Sequence, residues 1–74
     1  MSKRLPQAKP REVIRALVRA GFEIHHTTGS HHVLKHESGF RVTIAYHNKN
    51  LKRGTLASII RQAGLTIEEF TKLL

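Results

Sequence analysis

The stretch from Phe22 to Tyr46, FEIHHTTGSHHVLKHESGFRVTIAY, decides the fold. From Phe22 the side chains alternate. Phe22, Ile24 and His26 fall on one side and Glu23, His25 and Thr27 on the other, which is the period of a β-strand. TTGS then reads as a turn, HHVLKH resumes the alternation, and ESGF carries the Ser-Gly pair of a tight hairpin. RVTIAY, rich in β-branched residues, is a third strand. Short strands that follow one another through tight turns most simply form an antiparallel meander.

On the N-terminal side, KPREVIRALVRAGF places Val13, Ile14, Leu17 and Val18 at helical spacing, with Pro10 in the first turn and Gly21 at the C-terminal cap. A helix is expected over residues 10–20, with Arg11, Arg15 and Arg19 stacked along its polar side. On the C-terminal side, the polar loop HNKNLKR precedes GTLASIIRQAG. There Thr55 is the expected N-cap, Gly64 the expected C-cap, and Leu56, Ile59 and Ile60 the apolar face. Thr66 and Glu69 form a capping box that opens a short final helix.

The expected order is therefore α-β-β-β-α plus a short C-terminal helix. This is an α+β fold in which helices cover one face of a three-stranded antiparallel sheet. Phe22, Ile24, Leu34, Val42 and Ile44 supply the covered face. The open face is then left with Glu23, His25, Thr27, His31, Val33, Lys35, Arg41 and Thr43. Residues 1–74 are read as one domain, with residues 1–8 a flexible basic tail.

A chain of 74 residues is near the lower limit for folding on core burial alone and cannot enclose a deep pocket. It has no cysteine, which removes disulfides and thiolate metal sites. MSKRLPQAKP lacks the apolar run of a signal peptide and no later stretch would span a bilayer, so a cytoplasmic location without membrane contact is expected. Thirteen Lys and Arg against five Asp and Glu give a net charge of +8. Residues 1–53 hold eleven basic and three acidic side chains, while residues 54–74 hold two of each, so the excess lies entirely in the first part. Such a surface attracts phosphate backbones, since each neutralised phosphate releases counterions. Arg11, Arg15, Arg19, Lys35, Arg41, Lys49, Lys52 and Arg53 are the expected RNA contacts.

Five of the six histidines lie between His25 and His36. A metal would need three or four ligands converging from one face. His25 and His31 share the expected open face, whereas His32 and His36 point away, so neither a metal nor another cofactor is expected. His31 differs from the others in its setting. It follows Gly29 and Ser30 at the start of a strand, where a side chain can project from a constrained turn, and Lys35 and Arg41 are read as neighbours able to hold a phosphate. RNA carries its own nucleophile, the 2′-hydroxyl, so cleavage needs only a base, a cation and an acid on a bent backbone.

KPREVIRALVRAGFEIHHTTGSHHVLKH, followed by RVTIAYHNKNLKRGTLASIIRQAGL, resembles the HicA family of mRNA interferase toxins from toxin–antitoxin operons. The resemblance runs from Lys9 to about Phe70 and rests on an ordered set: the AGF helix exit, the GSHH turn, a histidine before LKRGTL, and the closing QAGL. It implies a double-stranded-RNA-binding-domain-like fold and metal-independent cleavage of mRNA that arrests translation. It also implies neutralisation by a HicB-type antitoxin covering the active face. The family's catalytic histidine carries over to His31, in a turn with Gly29 and Ser30, and His32 matches a frequent second histidine. Two readings compete with a toxin that is monomeric when free: a non-catalytic RNA-binding module of the same fold, and an adaptor that recruits an acidic protein.

Overall fold

The computed structural model describes residues 4–74. Its elements are α1 (Pro10–Arg19), β1 (Glu23–Thr28), β2 (His31–Lys35), β3 (Arg41–Ala45), α2 (Arg53–Gln62) and α3 (Ile67–Leu73). The strands form an antiparallel sheet in the order β1-β2-β3. The expected α+β arrangement, with the helices on one face, is what the chain adopts.

Both long helices end in the same way. After α1, Gly21 has φ 101°, its N–H donates to the Val18 carbonyl at 3.0 Å, and the Phe22 N–H donates to the Leu17 carbonyl at 2.9 Å. After α2, Gly64 has φ 74°, its N–H donates to the Arg61 carbonyl at 3.0 Å, and the Leu65 N–H donates to the Ile60 carbonyl at 3.1 Å. This double closure needs a left-handed residue after the cap, the reason for glycine in both AGF and AGL. The capping box of α3 is formed: the Thr66 N–H donates to Glu69 Oε1 at 2.8 Å and the Glu69 N–H to Thr66 Oγ1 at 3.0 Å. The start of α2 differs from expectation. Its N-cap is Lys52, with no side-chain cap, and Thr55 lies inside the first turn.

The core is a single cluster. Val13, Ala16 and Leu17 of α1, Leu34 of β2, Val42 and Ile44 of β3, Leu56, Ile59 and Ile60 of α2 and Phe70 of α3 are all buried in it. Two expected core members are not. Ile24 is 50 % exposed, because β1 lies at the edge of the area the helices cover, and Val18 turns outward on α1. The tail expected over residues 1–8 does not extend through its second half. Leu5 packs on the core, Ala8 is fully buried, and the Ala8 carbonyl accepts the Leu51 N–H at 2.9 Å. Residues 1–3 lie outside the described residues. Among the described residues no helix is long and apolar enough to cross a membrane.

Candidate active site

Strand pairing builds the open face. His31, Val33 and Lys35 of β2 stand opposite Ala45, Thr43 and Arg41 of β3, while Leu34 pairs with Val42 on the helix-covered side. On the other flank Glu23 pairs with Lys35 and Ile24 with Leu34, but the next pair is His26 with Val33. The register shifts at His25, a β-bulge in which His25 and His26 together oppose Val33. The unbroken alternation read from the sequence is therefore wrong beyond Ile24. His26 and Thr28 stand on the open face, and Thr27, paired with His32, on the helix side. The rings of His25 and His26 meet edge to face at 5.7 Å, with their Nδ1 atoms 3.5 Å apart, a contact that successive residues of a regular strand cannot make.

His31 is exposed at the first position of β2 and pairs with Thr28 on one side and Ala45 on the other. The adjoining turn is pinned by the Tyr46 N–H, which donates to the Ser30 carbonyl at 2.6 Å. Its diagonal neighbour across the β1–β2 pair is His26, since His26 opposes Val33 two positions along. Diagonal partners on one face have Cα atoms roughly 7–8 Å apart, within reach of two imidazoles around one phosphate. Lys35 and Arg41 do not adjoin His31 as expected. Lys35 is four residues along the same strand, about 13 Å away at the rise of an extended chain, and Arg41 is paired with it at that far end.

The remaining histidines take other places. His32 faces the helices, half-buried, with its ring 4.8 Å from that of Tyr46; its Nδ1 is buried with no hydrogen-bond partner. His36 closes the ESGF turn. Its Nδ1 accepts the Ser38 N–H at 3.0 Å and lies 2.6 Å from Ser38 Oγ, while its ring packs 5.1 Å from Phe22. His47 Nδ1 accepts the Lys49 N–H at 3.1 Å. Among the described residues no three histidine or acidic side chains converge to hold a metal ion.

The arginine stripe of α1 is divided. Arg11 and Arg15 border a groove with Ile24, His32 and Tyr46, whereas Arg19 Nη1 donates to the Leu73 carbonyl at 2.6 Å and holds the end of α3. Lys49 and Lys52 are exposed on the loop after β3, and Arg53 is exposed at the start of α2. This loop is tied to the chain before α1 through the Leu51 to Ala8 bond and a 3.5 Å contact of Asn50 Nδ2 with Gln7 Oε1.

Of the expected site residues, the fold brings Gly29, Ser30, His31 and His32 to one end of the sheet and leaves Lys35 and Arg41 at the other. His26 was missed, because only the pairing of β1 with β2 reveals the bulge that turns it to His31's face.

No curated protein matches the chain. The family described as "HicA toxin of bacterial toxin-antitoxin" matches residues 10–65, which run from the first residue of α1 to the glycine-capped exit of α2 and include the whole sheet. With that match spanning most of its length, the chain belongs to the HicA family of toxin–antitoxin toxins.

Proposed function

We propose that the protein is an endoribonuclease that cuts mRNA without a metal, arrests translation, and is neutralised by a HicB-type antitoxin. The observation that carries this reading is the shared face of His31 and His26. Cleavage by internal transfer requires one group to take a proton and another to give one. One imidazole removes the proton of the 2′-hydroxyl as its oxygen attacks the adjacent phosphorus. The other gives a proton to the departing 5′-oxygen as the P–O5′ bond breaks. The products are a 2′,3′-cyclic phosphate and a 5′-hydroxyl, and both nucleophile and leaving group belong to the RNA. Free imidazole titrates near pH 6.5, so histidine can fill either role near neutrality.

In this reading His31 is the residue to which the family resemblance points, and His26 its partner in this chain. Lys35 and Arg41, at the far end of the face, contact phosphates further along the strand and steer the RNA rather than touch the scissile group. The test is incubation of the purified protein with RNA in excess chelator, comparing the parent with His31→Ala and His26→Ala and analysing the ends by mass spectrometry. Cyclic phosphate ends that disappear in His31→Ala are expected. Unchanged cleavage by folded His31→Ala would reject the assignment, and binding without cleavage by the parent would make the chain an RNA-binding module.

A further inference from the structure

Two concavities lie side by side on the helix-covered side of the sheet, at the end where His31 sits. One, of about 140 Å³, is lined by Lys9, Arg11, His47 and Asn48 together with Tyr46. The other is an open groove of about 370 Å³ between α1 and the strands, where Ile14, Ile24, His32 and Tyr46 meet Arg11 and Arg15. Arg11 and Tyr46 are walls of both, so the two adjoin. The first is polar and cationic, the second aromatic and apolar, and no carboxylate lines either.

We propose that they form one nucleotide subsite, which takes an unpaired base of the strand cut at His31 in the groove and a phosphate of that nucleotide in the cationic concavity; this rests on the ribonuclease reading above. Each half suits its part. His47 Nδ1 is occupied by the Lys49 N–H, so its ring hydrogen is on Nε2, free to donate to an anion beside Lys9 and Arg11. In the groove, the His32 and Tyr46 rings form an aromatic corner facing Ile24, which is half-exposed although it points to the helix side. A base stacks on such a corner, and the arginine guanidiniums can lie over either the rings or the phosphates. The Nδ1 of His32, buried without a partner, is a hydrogen-bonding group that folding leaves unused.

The path between the sites is short. His31 and His32 are successive residues on opposite faces of one strand, and the Tyr46 to Ser30 bond ties the groove wall to the turn before His31. A single strand rounding that end of the sheet meets both. A duplex cannot, because a base seated in the groove has left its partner. The subsite therefore selects single-stranded RNA through the side of the sheet opposite to the cleavage chemistry.

The test uses a fully 2′-O-methylated single strand containing one 2-aminopurine, which has no 2′-hydroxyl nucleophile, so its binding is read independently of cleavage. Quenching of the 2-aminopurine on binding is expected, with little quenching for the matching duplex. Tyr46→Ala should abolish the quench and weaken binding about tenfold, the effect of losing one stacked base, while Tyr46→Phe retains both. Ile24→Glu, at a position already exposed, should act like Tyr46→Ala and guards against a folding defect in that variant. Full affinity and quench in both Tyr46→Ala and Ile24→Glu would overturn the subsite, as would equal quenching by the duplex. Cleavage of unmodified RNA by parent and His31→Ala is scored in parallel. A lost groove effect with intact His31 dependence rejects the subsite alone, and groove binding without parent cleavage rejects the ribonuclease reading alone.

Discussion

The ring of Phe40, at the end of the β2–β3 turn, lies directly over Gly64 after α2, so that a β-carbon on Gly64 would stand 2.7 Å from Phe40 Cε2 and 2.8 Å from Cε1. Gly64 also has φ 74°. Gly64→Ala should therefore lose about 1–2 kcal/mol from the left-handed backbone alone, and a further part as Phe40, already 45 % exposed, swings away. Urea melts of Gly64→Ala, Phe40→Ala and the double variant separate the two causes. The double should cost less than the sum of the singles, because one contact is lost in both. Strict additivity would show that the ring contact carries no energy.

The GL pair of the closing QAGL was legible as a helix exit, and the capping box at Thr66 and Glu69 was equally plain, because caps are set by a few neighbouring residues. Strand order was legible for the same local reason. The side on which β1 presents its histidines was not. The apolar–polar alternation of FEIHHTT ends at Ile24, and the four polar residues HHTT carry no mark of which one is extra; the bulge exists only in the pairing with Val33. Ile24 was read as core because it is apolar and on the correct side, but the area α1 covers depends on how helix and sheet cross. Lys35 and Arg41 were grouped with His31 by face, without regard to their distance along the strand.

A pH profile tests the pairing of His26 with His31. Single-turnover cleavage should follow a bell-shaped profile, one limb for the base and one for the acid. His31→Ala should remove activity. His26→Ala should slow cleavage by roughly 10²–10⁴, the usual contribution of one acid–base group, and turn the bell into a single-limbed curve. A His26→Ala enzyme that is slower but keeps both limbs would leave His26 with a packing role and no proton to transfer.

Arg19 should part company with Arg11 and Arg15. Its guanidinium bonds the Leu73 carbonyl at the end of α3, so Arg19→Gln should cost about 0.5–1.5 kcal/mol of stability, as for one hydrogen bond. The salt dependence of RNA binding should not change. Arg11→Gln should do the reverse, leaving the melt near that of the parent and reducing the logarithmic salt slope by roughly 0.7, as for one phosphate contact on a single strand. Equal loss of slope at Arg11 and Arg19 would restore the continuous stripe that the four-residue spacing suggested.

The last prediction concerns inhibition. His26 and His31 are both exposed, so the two imidazoles of the proposed chemistry are open to solvent, while Val33 on the same face is buried. A HicB-type antitoxin can stop cleavage by excluding RNA from that face, and an acidic surface would be steered to it by Lys35 and Arg41. Inhibition of this kind is steric. A non-cleavable RNA and the antitoxin then compete, and each raises the apparent Kd of the other in proportion to its own concentration. Lys35 and Arg41 flank the same face, so reversing both charges should weaken antitoxin and RNA together, mostly through slower association at low salt. A ternary complex of toxin, antitoxin and RNA, seen by scattering with cleavage still blocked, would require inhibition to act on the geometry of His31 instead of on access to it.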